Sequence, residues 1–208
     1  EGYLKTPGII EAFKKIKRVD FLPQDLKDLA ELNEALPIGY GQTISQPLVV
    51  AFILELLEPK EGEKILDIGS GSGWTSALLG EIVGEKGKVV AIEVVPELKE
   101  FGEKNNSKYN FIEKGRVQFV CADGSKGYEK EAPFDKILVS ATAIKIPDPW
   151  KKQLKIGGRI VTPIGTSIWL FIKKSPSAAK SMEGKEKEFE QIEYPGFVFV
   201  PLIEGQRG

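Results

Sequence analysis

The stretch Ile65-Leu66-Asp67-Ile68-Gly69-Ser70-Gly71-Ser72-Gly73-Trp74 constrains this chain more than any other. Apolar residues lead to an acid, three glycines follow at every second position, and an amphipathic run begins directly afterwards. Ile65, Leu66 and Ile68 predict the end of a buried parallel strand. Glycine at 69, 71 and 73 lets the backbone turn sharply, with no Cβ standing between the chain and a ligand laid against it. The free N–H groups at the start of the next helix, and the acid at the strand tip, supply polar contacts. Asp67, Gly69, Gly71, Ser72 and Gly73 are therefore expected to form one side of a ligand site. The pattern is not the dinucleotide fingerprint G-x-G-x-x-G/A, because Trp74 stands where that motif needs a small residue.

Around this stretch the chain alternates in the manner of a doubly wound α/β domain. Strand 64–68 is followed by helix 73–83, strand 88–93, helix 96–109, strand 116–120 and strand 134–140, then a short helix over 148–154. After Gly157-Gly158 come two strands, Arg159–Ile164 and Ser167–Lys174, separated by Gly165-Thr166 alone. That gap is too short for a crossover helix, so the pair is predicted to be an antiparallel hairpin. Upstream, Ile9, Ile10, Phe13 and Ile16 lie at helical spacing over 8–17, with Phe21-Leu22-Pro23 as the stop and Asp25 as the cap of a short second helix through Leu32. Residues 36–47, LPIGYGQTISQP, are rich in turn formers and hydroxyls. They lead into a helix with Pro47 in its first turn, Ser45 or Gln46 as its cap, and Leu48, Val49, Phe52, Ile53 and Leu56 as its buried stripe. Residues 174–187 read as an exposed polar loop, and the apolar run 197–202, FVFVPL, as a final strand.

Composition removes several chemistries. The chain has no histidine, so Ser-His-Asp and Cys-His catalysis, His-centred metal sites and the usual near-neutral general base are all excluded. The lone cysteine, Cys121, excludes an internal disulfide framework and a Cys-rich zinc site, and no metal is expected. Lys plus Arg number 29 against 30 Asp plus Glu, which leaves no electrostatic footprint for a nucleic acid. No apolar run is long enough to span a bilayer, so neither a membrane nor a nucleic-acid partner is expected and the cytoplasm is the default location.

In open α/β sheets ligands sit outside the carboxyl ends of the strands, and three acids fall there: Asp67, Glu93 and Asp123. Glu93 follows Gly69 at about the spacing from which an acid accepts both hydroxyls of a ribose. Asp123-Gly124, at the tip of the third strand, is placed to meet an amino group on a purine. Taken singly each acid is as well explained as a helix cap or a solvated side chain; three in register beside a glycine turn point to a nucleoside cofactor. NAD fits poorly, given Trp74 and the absence of a proton relay. S-adenosylmethionine fits the glycine spacing, the second-strand acid, the third-strand Asp-Gly and the terminal hairpin. The expected fold is thus α/β, a doubly wound, mostly parallel sheet of the S-adenosylmethionine-dependent methyltransferase (Rossmann-like) type with a C-terminal antiparallel hairpin.

Several segments resemble one family, the protein-L-isoaspartate (D-aspartate) O-methyltransferases. They are IGYGQTISQP (38–47), VVAIEVVPEL (89–98), APFDKILVSATAIKIP (132–147), LKIGGRIVTPIG (154–165) and FVFVPLIEG (197–205). GQTISQP and the late FVPL carry the specificity of the match, since glycine motifs are shared by many methyltransferases. The resemblance implies methyl transfer from S-adenosylmethionine to the free α-carboxylate of L-isoaspartyl residues in damaged peptides and proteins, followed by collapse of the ester to a succinimide that hydrolyses partly to aspartate. It assigns Ser45 to the active site, with Thr43 helping to orient the substrate carboxylate; Ser45 as a helix N-cap is the simpler alternative. An α-carboxylate with an ordinary pKa near ~3.5 is ionised at neutral pH and needs no general base, which suits a chain without histidine. Many members carry proline and an acid where this chain has Ile144 and Lys145. Other readings are a methyltransferase of a small-molecule acceptor and a non-catalytic cofactor-binding module. The expected layout is an N-terminal helical segment with the active-site loop over 1–46, the cofactor-binding core over 47–173, and a loop-and-strand appendage over 174–208.

Overall fold

The computed structural model describes residues 4–175, 188–203 and 205. Its centre is a seven-stranded sheet in which β3 (Lys64–Ile68), β4 (Lys88–Glu93), β5 (Val117–Cys121), β6 (Phe134–Val139) and β7 (Leu154–Ile164) run parallel. The hairpin partner β8 (Ser167–Lys173) and the edge strand β9 (Phe189–Pro195) are antiparallel to their neighbours. The spatial order is β5-β4-β3-β6-β7-β8-β9. From β3 the chain winds outward through β4 to β5, then returns to the other side of β3 as β6. That reversal opens a crevice at the carboxyl ends of β3, β4 and β6, where such sheets bind ligands.

The central strands are apolar almost throughout because helices cover both faces. Ile65, Leu66, Val89, Val90, Ala91, Ile137 and Leu138 have no exposed surface. Two apolar layers result. One packs α1 (Pro7–Lys15), α2 (Pro47–Leu57), α3 (Trp74–Val83) and α4 (Pro96–Ser107) around Leu54, Leu78 and Leu79. The other packs α5 (Asp148–Gln153) against the opposite face around Phe134, Ile137 and Trp150.

Several local expectations need correction. Helix α1 already ends at Lys15, and a 3₁₀ turn over Arg18–Phe21 follows it and runs into Leu22-Pro23. The short second helix is likewise a 3₁₀ turn, Gln24–Leu29, entered through Pro23 with no cap from Asp25. In α2 the fully buried residues are Val50, Ala51, Ile53, Leu54 and Leu57, whereas Leu48, Val49, Phe52 and Leu56 are half-buried. A helix this uniformly apolar gives no periodic cue to its inward face. Neither Ser45 nor the Gln46 side chain caps α2; Asn33 does, from a distant loop, its Oδ1 accepting from the Leu48 N–H at 3.0 Å.

The turn-rich segment 36–47 forms a small hairpin, β1 (Leu36–Gly39) and β2 (Gln42–Ile44). Tyr40 and Gly41 at its tip both take the left-handed conformation that two-residue hairpin turns demand. Strand β7 begins at Leu154, with Gly157-Gly158 absorbed in a register shift rather than preceding the strand. The β7–β8 hairpin is present as expected, Ile164 facing Ser167. The last strand of the sheet, however, is β9 over Phe189–Pro195 and not 197–202. An edge strand with one free side carries mostly polar residues, which hid it in the sequence. The polar stretch expected as a loop lies, over 176–187, outside the described residues.

Candidate active site

The glycine turn is shaped by hydrogen bonds that close it onto β4. Gly69 and Ser70 donate backbone N–H groups to the Ile92 carbonyl at 2.9 and 3.1 Å, and Gly73 N–H donates to the Ser70 carbonyl at 2.8 Å. Gly69, Gly71 and Gly73 have φ of +76°, +50° and +81°, the left-handed region where a side chain is strained. Gly73 also serves packing: a Cβ there would stand 2.9 Å from the Gly102 carbonyl oxygen and 2.5 Å from Asn106 Nδ2, so α4 presses directly on the turn.

The three strand-end acids are placed differently from one another. Asp67 has no exposed surface, and its Oδ2 accepts from Ser76 Oγ at 2.6 Å and Thr75 Oγ1 at 3.1 Å. Its Oδ1 is buried without a partner among the described residues. Burial pushes this carboxyl up to about 6 against the opposing pull of the two hydroxyls, with the nearby Glu93 charge adding to the rise. Asp67 lines no part of the cavity described below; its expected direct contact is replaced by a hold on the first turn of α3.

Glu93 does line the cavity and ties it together. Its Oε2 accepts from Gly71 N–H at 2.9 Å, and its Oε1 from the N–H groups of Val94 and Val95 at 2.9 and 3.0 Å. Asp123 is turned to its own loop and to the C-terminal segment, its Oδ1 accepting from Ser125 N–H and Oγ and its Oδ2 from Gly205 N–H at 3.1 Å. Burial would raise this carboxyl, but the Ser125 hydroxyl, the Gly205 and Ser125 N–H groups and Lys126 together hold it below the ordinary range. Its neighbours Ala122 and Gly124 line the cavity instead. Gly124 is fixed from behind by fully buried Trp150, whose Nε1 donates to its carbonyl at 2.8 Å.

These pieces frame a cleft of about 740 Å³, counting the solvent at its mouth, lined by Gly69–Ser72, Trp74, Glu93, Gly124 and Ser140 among others. The hairpin roofs it: a Cβ on Gly71 would come within 3.1 Å of Ile38 Cδ1, and Gln42–Ser45 line the upper wall. The C-terminal segment closes the side, with Val200–Ile203 among the lining residues and residue 142 joined to it by Thr142 N–H to the Val200 carbonyl at 2.8 Å and Leu202 N–H to the Thr142 carbonyl at 2.9 Å. A second, wider cavity opens beside the first, walled by Asn33–Ala35, Gln46, Val49 and Val198–Val200. Thr43, Ser45, Ser140 and Val200 line both. Ser45 is half-buried, and its hydroxyl takes no protein partner among the described residues.

Ser70 and Ser140 were missed in the sequence. Their hydroxyls are buried without protein partners among the described residues, as is Trp74 Nε1, and all three residues line the first cavity. Buried polar atoms left open in this way fit a polar ligand in the cavity. Ser140 stands at the carboxyl end of β6, its N–H donating to the Ile68 carbonyl at 2.9 Å. The rule that located the acids would have found it, had hydroxyls been counted with them.

The doubly wound sheet, its glycine turn and the antiparallel C-terminal strands are those of the S-adenosylmethionine-dependent methyltransferases. Among solved structures, a protein-L-isoaspartate O-methyltransferase superposes with a TM-score of 0.83 at 28% identity, covering 98% of this chain and 63% of that one. The sequence model of the protein-L-isoaspartate(D-aspartate) O-methyltransferases (PCMT) matches residues 1–207, and the chain belongs to this family. Curated relatives named protein-L-isoaspartate O-methyltransferase include one from Methanopyrus kandleri, 39% identical over all of this chain and 88% of that protein. Another, from Aeropyrum pernix, is 43% identical over all of this chain and 76% of that protein. Among the described residues no helix is long and apolar enough to cross a membrane.

Proposed function

We propose that this chain transfers a methyl group from S-adenosylmethionine to the free α-carboxylate of L-isoaspartyl residues in damaged peptides and proteins. The observation that carries this reading is the meeting of two cavities at Thr43, Ser45 and Ser140. One has the glycine turn and ribose-side acid of a nucleoside site, and the other is wide enough and open enough for a peptide. When bound, S-adenosylmethionine supplies an electrophilic methyl carbon on a good leaving group. Gly69, Gly71, Ser72 and Glu93 would hold it from below and Gly124 from the β5 side, with Gly73 and Asp67 keeping the turn in shape and Asp123 its own loop. The unpartnered Ser70 and Ser140 hydroxyls are further contacts that the pocket offers.

The remaining work falls to the roof. The acceptor carboxylate is ionised at neutral pH, so the site has to orient it rather than deprotonate it. The Ser45 hydroxyl, which takes no protein partner among the described residues, would donate to one carboxylate oxygen, with Thr43 beside it. Among the described residues no group hydrogen-bonds the Ser45 hydroxyl to activate it as a nucleophile. The Ile38 side chain over the turn and residues 200–203 at the side exclude water from the reacting atoms.

Product analysis tests the reading. A synthetic isoaspartyl peptide incubated with enzyme and S-adenosylmethionine is expected to gain one base-labile methyl ester and then to pass through a succinimide to a mixture containing the aspartyl form. A stable methyl group on any other atom of the peptide would overturn it.

A further inference from the structure

Arg18 is buried, with 7% of its surface exposed, yet it lines neither cavity and no carboxylate lies within ion-pairing distance among the described residues. Its guanidinium is spread over backbone carbonyls. Nη1 donates to those of Ala30 and Leu32, each at 3.0 Å, and Nη2 to those of Glu34 at 2.6 Å and Ser45 at 3.3 Å. Its Cζ lies 5.4 Å from the centroid of the Trp74 ring, on the first residue of α3 after the glycine turn. Taking such a cation out of water costs several kcal/mol, of which carbonyl dipoles and an aromatic face return part. Filling this volume for stability alone is better done by an apolar side chain. What a guanidinium adds is a rigid planar fork of donors that fixes several acceptors at once.

The acceptors it fixes converge on Ser45. The loop 30–34 that Arg18 grips carries Asn33, whose carbonyl accepts from Gln46 Nε2 at 2.8 Å and whose Oδ1 accepts from Leu48 N–H at 3.0 Å. Ser45 is thus bracketed: its own carbonyl is held by Arg18, and the residues that follow it are held by a loop under the same hand. Through Trp74 the same guanidinium touches the start of the helix that follows the glycine turn. We propose that Arg18 is a positioning residue for methyl transfer, setting the Ser45 segment against the glycine turn so that donor and acceptor meet at reacting distance. The inference rests on the orienting role given to Ser45 above. Misplacement of a reacting group by about 1 Å costs on the order of 10²-fold.

A double-mutant cycle separates this from a purely structural role. Wild type, Arg18→Met, Ser45→Ala and the double variant are compared for kcat on an isoaspartyl peptide at saturating S-adenosylmethionine, for S-adenosylhomocysteine affinity, and for thermal midpoint. Arg18→Met is expected to lower kcat by about 10-fold or more, with S-adenosylhomocysteine affinity within about threefold of wild type. In the Ser45→Ala background it should cost no more than about twofold, because its effect runs through that serine. Equal losses in both backgrounds, or an unchanged kcat, would overturn the proposal while leaving Ser45's role intact. A wild-type kcat in Ser45→Ala alone would overturn the role of the serine, and the proposal with it. Arg18→Lys, which keeps the charge without the fork, is expected to fold and to lie between wild type and Arg18→Met. Loss of folding in both Arg18 variants would show a structural residue and overturn the proposal.

Discussion

Asp67→Asn tests the reading of the buried carboxyl at the strand tip. Asp67 is held at about 6 in the folded chain against an ordinary 3.8, chiefly by burial. Below pH 3.8 the group is protonated in both states and burial costs it nothing electrostatic. Between 3.8 and 6 the unfolded chain releases the proton that the folded chain still binds, so stability falls as pH rises. Above pH 6 both forms are ionised and the full penalty is present. At 1.36 kcal/mol per pKa unit, the difference between about 6 and 3.8 amounts to about 3 kcal/mol. Asparagine is isosteric and keeps an acceptor for Ser76 and Thr75, but turns the unpartnered Oδ1 position into an unpartnered amide, at a cost of about 1–3 kcal/mol. The two variants can therefore be similarly stable at neutral pH, and the decisive quantity is the slope. Urea unfolding from pH 3 to pH 7 should show the stability difference between variant and wild type moving by about 3 kcal/mol in favour of Asp67→Asn. Parallel curves would refute the assignment of a raised, buried carboxyl to Asp67.

Three further substitutions bear on the site. Ser45→Ala should lower kcat by about 10-fold or more, on the order of 1.4 kcal/mol, with S-adenosylhomocysteine affinity nearly unchanged by calorimetry. Glu93→Ala removes the acceptor for the N–H groups of Gly71, Val94 and Val95. It should weaken S-adenosylhomocysteine binding by about 10-fold or more and cost about 1–3 kcal/mol of stability by urea unfolding. Gly73→Ala meets the Gly102 carbonyl and Asn106 at a left-handed position, and should destabilise the fold by about 2–4 kcal/mol in the same assay.

The parallel core was legible because β3 and β4 are apolar runs closed by a glycine and an acid, and β6 is an apolar run closed by Ser140, patterns that local chemistry alone produces. The edge was not. Phe189–Pro195 alternates weakly because one side of an edge strand faces water, while residues 198–202 wall the two cavities and Phe197 stacks on Phe52 rather than joining a sheet. Glu93 and the glycine turn were located by a rule about strand ends, and that rule holds for their positions. It does not say which way a side chain turns, and Asp67 and Asp123 both turn away from the cavity to satisfy nearby hydroxyls and N–H groups. The cap on α2 was out of reach for a different reason: Asn33 meets it through tertiary contact, 15 residues back along the chain. Arg18 was invisible for the same reason, since its partners are backbone carbonyls that no side-chain pattern announces.

The central claim is that the joined cavities serve an isoaspartyl carboxylate. The most direct measurement is the initial rate of methyl transfer from labelled S-adenosylmethionine to two synthetic peptides of one sequence, one with an L-isoaspartyl and one with an L-aspartyl residue at the same position. The account predicts base-labile labelling of the isoaspartyl peptide and almost none of the aspartyl peptide. Equal labelling of the two, or transfer only to a small molecule when peptide is withheld, would contradict it.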